Sequence, residues 1–220
     1  MYNLVRKDFL IQINYILTTI PFSIFFVLIF PKAFPGLGYA MGASAIVYML
    51  AISTSFIDAR NHTDIILNSL PVLRSQIILS KYLATFLFTL IGLLIMVLAG
   101  LAVNISPLPF NIPFITWQEI TITFIMCTVL AAIYFPICYK LSHGKALTFV
   151  YVILFQVAIF SPGGISDYVA RHINEPWIQQ LLSFNLNTPW GLPLIGASAA
   201  ILLVILSYLL TVKIYMVKDL

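Results

Sequence analysis

The chain has 220 residues, of which 61% are hydrophobic and 8% are charged, and its mean hydropathy is +1.05. Soluble domains are about 45 to 50% apolar and about 25% charged, so this composition excludes an ordinary soluble domain and indicates a polytopic membrane protein. The net charge of +4 comes from basic residues that stand singly between apolar runs, a pattern that does not favour nucleic-acid binding. Cys127 and Cys138 fall in one apolar run and are interpreted as packing residues.

Six apolar runs follow one another along the chain. A bilayer core of about 30 Å needs roughly 20 apolar residues per helical crossing, so the length has room for about six spans and no soluble domain. We therefore predict an all-α membrane protein with one transmembrane domain over residues 1–220. The runs cover residues 15–30, 39–57, 83–103, 120–139, 146–160 and 193–212.

The positions of Lys and Arg predict the orientation. If the N-terminus is cytoplasmic, only Lys32 and Arg171 lie outside, which satisfies the positive-inside rule and places both termini in the cytoplasm. The first apolar run is interpreted as a retained span, because no small-residue cleavage site follows it.

Two further segments are expected at the membrane surfaces. Residues 1–15 predict a cytoplasmic interfacial helix, since Val5, Phe9 and Ile13 form one apolar stripe on a helix. Residues 161–192 are predicted to be extracytoplasmic and to hold two short helices, with Trp177 and Trp190 at the level of the lipid headgroups.

The predicted span interiors contain no ionisable residue, and Asp58, Glu119 and Lys140 are interpreted as boundary residues. A proton-driven carrier usually needs buried carboxylates or histidines, so that class is disfavoured. A sodium-coupled carrier with helices broken at Pro21 or Pro136 stays open. If the protein transports, its driving energy is expected from another chain.

The chain also lacks patterns for catalysis or nucleotide binding. The histidines His62, His143 and His172 form no metal-ligand pair, and no nucleophile stands with a base. The Gly-Lys pair after His143 follows Tyr139 and precedes Ala146, where a phosphate-binding loop requires Gly and Ser or Thr. We predict no catalytic residue, metal or cofactor on this chain.

The most polar part of the chain is the predicted cytoplasmic loop of residues 58–82, "DARNHTDIILNSLPVLRSQIILSKY". Pro71 lacks a backbone donor and disfavours helix at Leu70. A short helix is therefore expected to end there and another to begin near Arg74. The same pattern is also typical of an ordinary amphipathic connector.

The stretch "LNSLPVLRSQIILSKYL", residues 67–83, resembles the cytoplasmic signature of the short, six-span permease subunits of type-2 ATP-binding-cassette exporters, particularly bacterial ones. The resemblance rests on Ser-Leu-Pro, an Arg, an apolar run and Lys-Tyr. "LVRKDFL", residues 4–10, is similar to the elbow helix of that family. Ala59 stands where the family often has an acidic residue, and Leu73 where it often has a small hydroxyl residue.

The resemblance implies a permease in the plasma membrane that pairs with a second copy or a related permease. Each permease would rest a coupling helix on one of two ATPase subunits, which bind ATP and Mg²⁺. The implied coupling residues are Asp58, Arg60, Asn61, Asp64, Ile65, Ile66, Leu67, Ser69, Leu70, Pro71, Arg74 and Lys81, and those of the elbow helix are Arg6, Lys7 and Phe9.

An amphipathic peptide or lipid-like molecule is the expected cargo, because the spans offer an apolar, uncharged surface. Peptide export is a known role in the family that the chain resembles. Three alternatives remain: an intramembrane enzyme, a non-transporting immunity or assembly protein, and the sodium-coupled carrier.

Overall fold

A computed structural model describes residues 2–60, 63, 73–107, 112–141, 145–187 and 191–217. This part of the chain contains seven helices with defined bounds and no strand. They are α1 (Tyr2–Ala33), α2 (Gly38–Arg60), α3 (Arg74–Ile105), α4 (Trp117–Leu141), α5 (Lys145–Arg171), α6 (Pro176–Asn187) and α7 (Gly191–Val217).

Five of these helices, α1, α3, α4, α5 and α7, are long and apolar enough to cross a membrane. The prediction of an all-helical, multi-pass membrane protein is thereby confirmed at the level of fold class. The remaining predicted span lies in α2, which is not among the five found in the described residues. The 23 residues of α2 give a length of about 34 Å at 1.5 Å per residue. The count of six spans stays a prediction.

The helix α2 lies at the centre of the bundle, where it packs against α1, α3, α4 and α5. Its first half is rich in small residues, and Ala40, Ala43 and Ala45 are fully buried. Gly42 permits the close approach of α3, because a Cβ atom there would overlap the side chain of Met96. Small residues suit this position because helix association in lipid depends on close van der Waals packing rather than on hydrophobic drive.

The helix α1 buries several polar side chains against the bundle and exposes apolar ones on its outward side. Asp8, Gln12 and Ser23 are buried against the bundle, whereas Phe9 and Ile13 of the predicted apolar stripe are exposed. Polar side chains of a membrane helix are stabilised when they face neighbouring helices rather than lipid. The stripe therefore marks the outward face of α1.

The structure differs from the prediction of a separate interfacial helix at residues 1–15. The helix α1 is continuous through Pro21 and Pro31. Its first turns are held on the bundle because Leu4 packs in a buried apolar cluster and Asp8 pairs with Lys81 of α3. The elbow is therefore not confirmed as an element of its own.

Residues 161–192 also differ from the prediction of two short helices. The helix α5 continues through Pro162 to Arg171, so the first pattern forms its last turns. The second pattern is α6, in which Trp177 donates a hydrogen bond from its Nε1 to Glu175 Oε2 at 3.1 Å. Trp190 lies outside the described residues.

Candidate functional site

The predicted coupling segment, residues 58–82, joins α2 to α3, and the structure describes mainly its two ends. The helix α3 begins at Arg74, as the position of the proline predicts, and Leu73 before it is extended with φ −65° and ψ 136°. Arg60 ends α2, but its side chain is outside the described part. Eight predicted coupling residues lie wholly outside it: Asn61, Asp64, Ile65, Ile66, Leu67, Ser69, Leu70 and Pro71.

The two described ends of the segment are joined by a group of four charged side chains, which we call the ionic cluster: Lys7 and Asp8 of α1, Asp58 of α2 and Lys81 of α3. Lys81 Nζ donates to Asp8 Oδ1 at 2.9 Å and to Asp58 Oδ2. Lys7 Nζ donates to Asp58 Oδ1 at 2.9 Å and lies 3.4 Å from Asp8 Oδ1. Two cations thus face two anions across three helices.

Burial raises the energetic cost of losing any one partner of these ion pairs. The side chains of Lys81 and Asp58 are each 8% exposed and that of Asp8 is 1% exposed, whereas Lys7 is 28% exposed. A surface ion pair contributes little to stability, but the loss of one partner of a buried pair leaves an uncompensated charge and is strongly destabilising. The carboxylate of Asp58 is therefore occupied inside the chain, and Lys81 pairs with α1 and α2.

Asp8 is the member of the cluster that the sequence interpretation missed. It stands next to Lys7 in the stretch that resembles an elbow helix, and the spacing of Asp8 and Gln12 places two polar side chains on one helical face. That polar stripe was the available signal. Gln12 accepts a hydrogen bond at its Oε1 from Ser53 of α2 at 2.9 Å, so the stripe continues the contact between α1 and α2.

Arg74 fastens the start of α3 to the end of α7. Its Nη1 donates to the backbone carbonyls of Tyr215 at 3.1 Å and Met216 at 3.3 Å, and its guanidinium lies 5.7 Å from the centre of the Tyr215 ring. These carbonyls belong to the last turn of a helix, where no intrahelical donor is available and a cation is favoured. The first turns of α1 and α3 and the last turns of α2 and α7 therefore share one end of the bundle.

The opposite end of the bundle is organised around Glu119, in the first turn of α4. Glu119 is buried; its Oε2 accepts from the backbone N–H of Thr116 at 3.0 Å, and its Oε1 from that of Tyr39 at 3.2 Å. The Thr116 hydroxyl accepts in turn from the backbone N–H of Glu119 at 3.3 Å, which completes a capping box. Glu119 is thus more than a boundary residue, because it caps α4 and the start of α2 together.

The residues predicted for the elbow helix, in the first turns of α1, are more exposed than Asp8. Arg6 and Phe9 lie on the outward side of α1, whereas Lys7 reaches into the ionic cluster.

No group of three or more His, Cys, Asp or Glu side chains is placed to hold a metal ion in the part of the chain that the structure describes. Pro136 does not break α4, which is continuous from Trp117 to Leu141.

Comparison with known proteins identifies the family. Neither the curated proteins nor the solved structures include a match to this chain. A family model described as "ABC-2 family transporter protein" matches residues 3–216, which is nearly the whole chain. The match confirms the resemblance found in residues 67–83. The chain therefore belongs to the ABC-2 transporter family, the membrane components of ATP-binding-cassette transporters.

Proposed function

We propose that this chain is the transmembrane subunit of an ATP-driven exporter and is moved by a separate ATPase. The family supports the membrane role, and its members normally lack an ATPase site of their own. In the complex, two permease subunits pair and each contacts one ATPase subunit, which carries ATP and Mg²⁺. The cargo is an amphipathic peptide or a lipid-like molecule, because the interiors of the predicted spans carry no ionisable residue.

The observation that carries the mechanism is the ionic cluster at both described ends of the coupling segment. Asp58 and Lys81 bracket the segment, pair with each other and also bind the first turns of α1. A displacement of residues 61–72 therefore cannot move α2 or α3 alone without opening buried ion pairs. We infer that the cluster transmits the movement of the ATPase to all three helices.

Six spans with both termini in the cytoplasm fit this arrangement. The start of α2 contacts Glu119 at one end of the bundle, and Asp58 near its last turn joins the ionic cluster at the other. Because α2 thus runs the length of the bundle, it serves as the remaining span. From the positive-inside rule we infer that the ionic cluster and both termini lie on the cytoplasmic side, and the membrane we propose is the plasma membrane of a bacterium.

Copurification in mild detergent tests this function. An ATP-binding-cassette ATPase is expected to copurify with the wild-type chain, and the double variant Arg60→Glu with Asp64→Arg is expected to lose it. The matched control is Asp167→Arg with Arg171→Glu, which also reverses the charges of an acidic and a basic residue four positions apart in the sequence. That exposed pair, 2.8 Å apart, ends α5 at the far end of the bundle.

The outcomes separate the parts of the proposal. Equal recovery of the ATPase with both double variants contradicts the assignment of the coupling segment. Absence of any ATPase from the wild-type preparation contradicts the exporter, and ion-dependent transport by the isolated chain would replace it with a sodium-coupled carrier.

A further inference from the structure

A cavity of about 350 Å³ lies between α3, α4 and α7. Its walls include Thr85 and Thr89 of α3, Cys127 of α4 and two small residues of α7, Ala197 and Ala200. The small side chains of α7 leave this volume open where larger residues would fill it. The volume falls in the range of about 300 to 1,000 Å³ typical of ligand sites.

The wall of this cavity is apolar although it contains several hydroxyl groups. The hydroxyls of Thr85 and Thr89 donate to the carbonyls of Lys81 and Thr85, each at 2.9 Å, and that of Thr128 donates to the carbonyl of Phe124 at 2.5 Å. Each proton is thus used within its own helix. Ordered water needs two to four polar partners, so this wall favours a hydrocarbon over water.

The mouth of the cavity opens on the lipid-facing side of the bundle. Phe86 of α3 and Ile201 and Ile205 of α7 belong to its lining and are 50 to 59% exposed. Both helices are long and apolar enough to cross the membrane, so the medium in front of the mouth is the hydrocarbon of the bilayer. Lipid chains are therefore the apolar groups present there at the highest concentration.

A hydroxyl cluster adjoins the cavity toward the ionic end. Tyr82 belongs to the lining, and its hydroxyl lies 2.7 Å from Ser207 Oγ and 3.4 Å from Thr211 Oγ1. Ser207 in turn donates to the carbonyl of Ala132 at 2.6 Å. These bonds tie α3, α4 and α7 together beside the apolar space, so helix contact is maintained there without filling the cavity.

We propose that this cavity binds one hydrocarbon chain of a membrane lipid. An engineered cavity of about 150 Å³ with apolar walls stays dry and binds benzene, and this one is more than twice as large. The occupant enters sideways from the bilayer and fills the groove between α3 and α7. The inference concerns the isolated permease and does not depend on an ATPase partner.

Photolabelling tests the site. The full chain is reconstituted in phosphatidylcholine vesicles that contain phosphatidylcholine with a diazirine in its acyl chain, and the adducts are mapped by mass spectrometry. Adducts are expected to concentrate at Phe86, Ile201 and Ile205. Because the site is saturable, these adducts are expected to decline when unlabelled lipid competes with the probe. Ile20 and Phe25 on the exposed face of α1 report the background.

Two neighbouring alanines of α7 give a matched pair of variants. Ala200 is buried in the cavity wall, whereas Ala199 is exposed and is not part of the lining. Ala200→Phe is expected to lower the cavity adducts by about tenfold or more, the effect of displacing two methylene groups from an apolar site. Ala199→Phe is expected to leave them unchanged.

Three results would overturn the proposal. One is equal labelling of the two phenylalanine variants. Another is labelling of the wild-type chain that never saturates and matches the background positions, which decides the question even if Ala200→Phe does not fold. The third is a combined result, in which Ile201→Cys chains form disulfide crosslinks in vesicles and no cavity adducts are found. That result assigns the groove to a second copy of the chain.

Discussion

Removal of the Lys81 ammonium group is expected to destabilise the protein strongly. In Lys81→Met, Asp8 and Asp58 keep only Lys7 as a partner, so a balanced set of two cations and two anions becomes a buried group with one excess negative charge. Breaking a buried ion pair by removing one partner costs about 3 to 5 kcal/mol. For a chain of this length, 3 kcal/mol corresponds to a fall of about 6 to 12 °C in the unfolding midpoint.

A second substitution separates charge from packing. In Asp58→Asn with Lys81→Met, Lys7 and Asp8 remain, and the cluster is neutral again. The double variant is therefore expected to be more stable than the sum of the two single effects predicts, by about 1 kcal/mol or more. Lys140→Met is the control, because Lys140 is exposed at the end of α4, and it is expected to change stability by less than about 0.5 kcal/mol.

The assay is the temperature at which half of the purified chain leaves the monodisperse peak on size exclusion in detergent. Equal midpoints for Lys81→Met and Lys140→Met would refute the reasoning. Loss of a lysine in the buried ionic cluster would then cost no more than loss of an exposed lysine. Strict additivity in the double variant would show that Asp58 and Lys81 do not interact.

Two more substitutions test the opposite end and the turn between α1 and α2. Glu119→Ala should lower the free energy of unfolding by about 1 to 2 kcal/mol through loss of the caps, whereas Gln118→Ala on the exposed side should not; equal midpoints would exclude the capping role. Gly38→Ala should lower the midpoint because its Cβ would overlap the backbone of Pro31, whereas Gly164→Ala, with open space around it, should not. Equal effects at the two glycines would refute the packing argument.

Parts of the site follow from the sequence for clear physical reasons. The start of α3 at Arg74 follows from the helix-breaking effect of Pro71. The Thr-x-x-Glu spacing of Thr116 and Glu119 is a capping signature that is visible in the sequence, and the interpretation of Glu119 as a boundary residue overlooks it. The second acceptor role of Glu119, toward Tyr39, depends on a contact between residues 80 positions apart and has no local signal.

The continuity of α1 shows why the elbow prediction went beyond what a local pattern supports. An apolar stripe on residues 1–15 is equally compatible with a helix lying on the membrane and with the outward face of a spanning helix. The choice depends on the partners of the other face, and here Leu4 and Asp8 contact the bundle. A local sequence pattern does not contain those partners.

The composition of the chain is enough to predict a membrane environment and an all-helical fold, because hydrocarbon tolerates few charges and selects helices whatever their packing. The Ser-Leu-Pro to Lys-Tyr stretch resembles the family, which the match over residues 3–216 then shows. The pairing of the few charges depends on the tertiary structure, since Lys7, Asp8, Asp58 and Lys81 come from three helices and neutralise one another where these helices meet. The cavity beside α7 arises in the same way, from the fit of three helices.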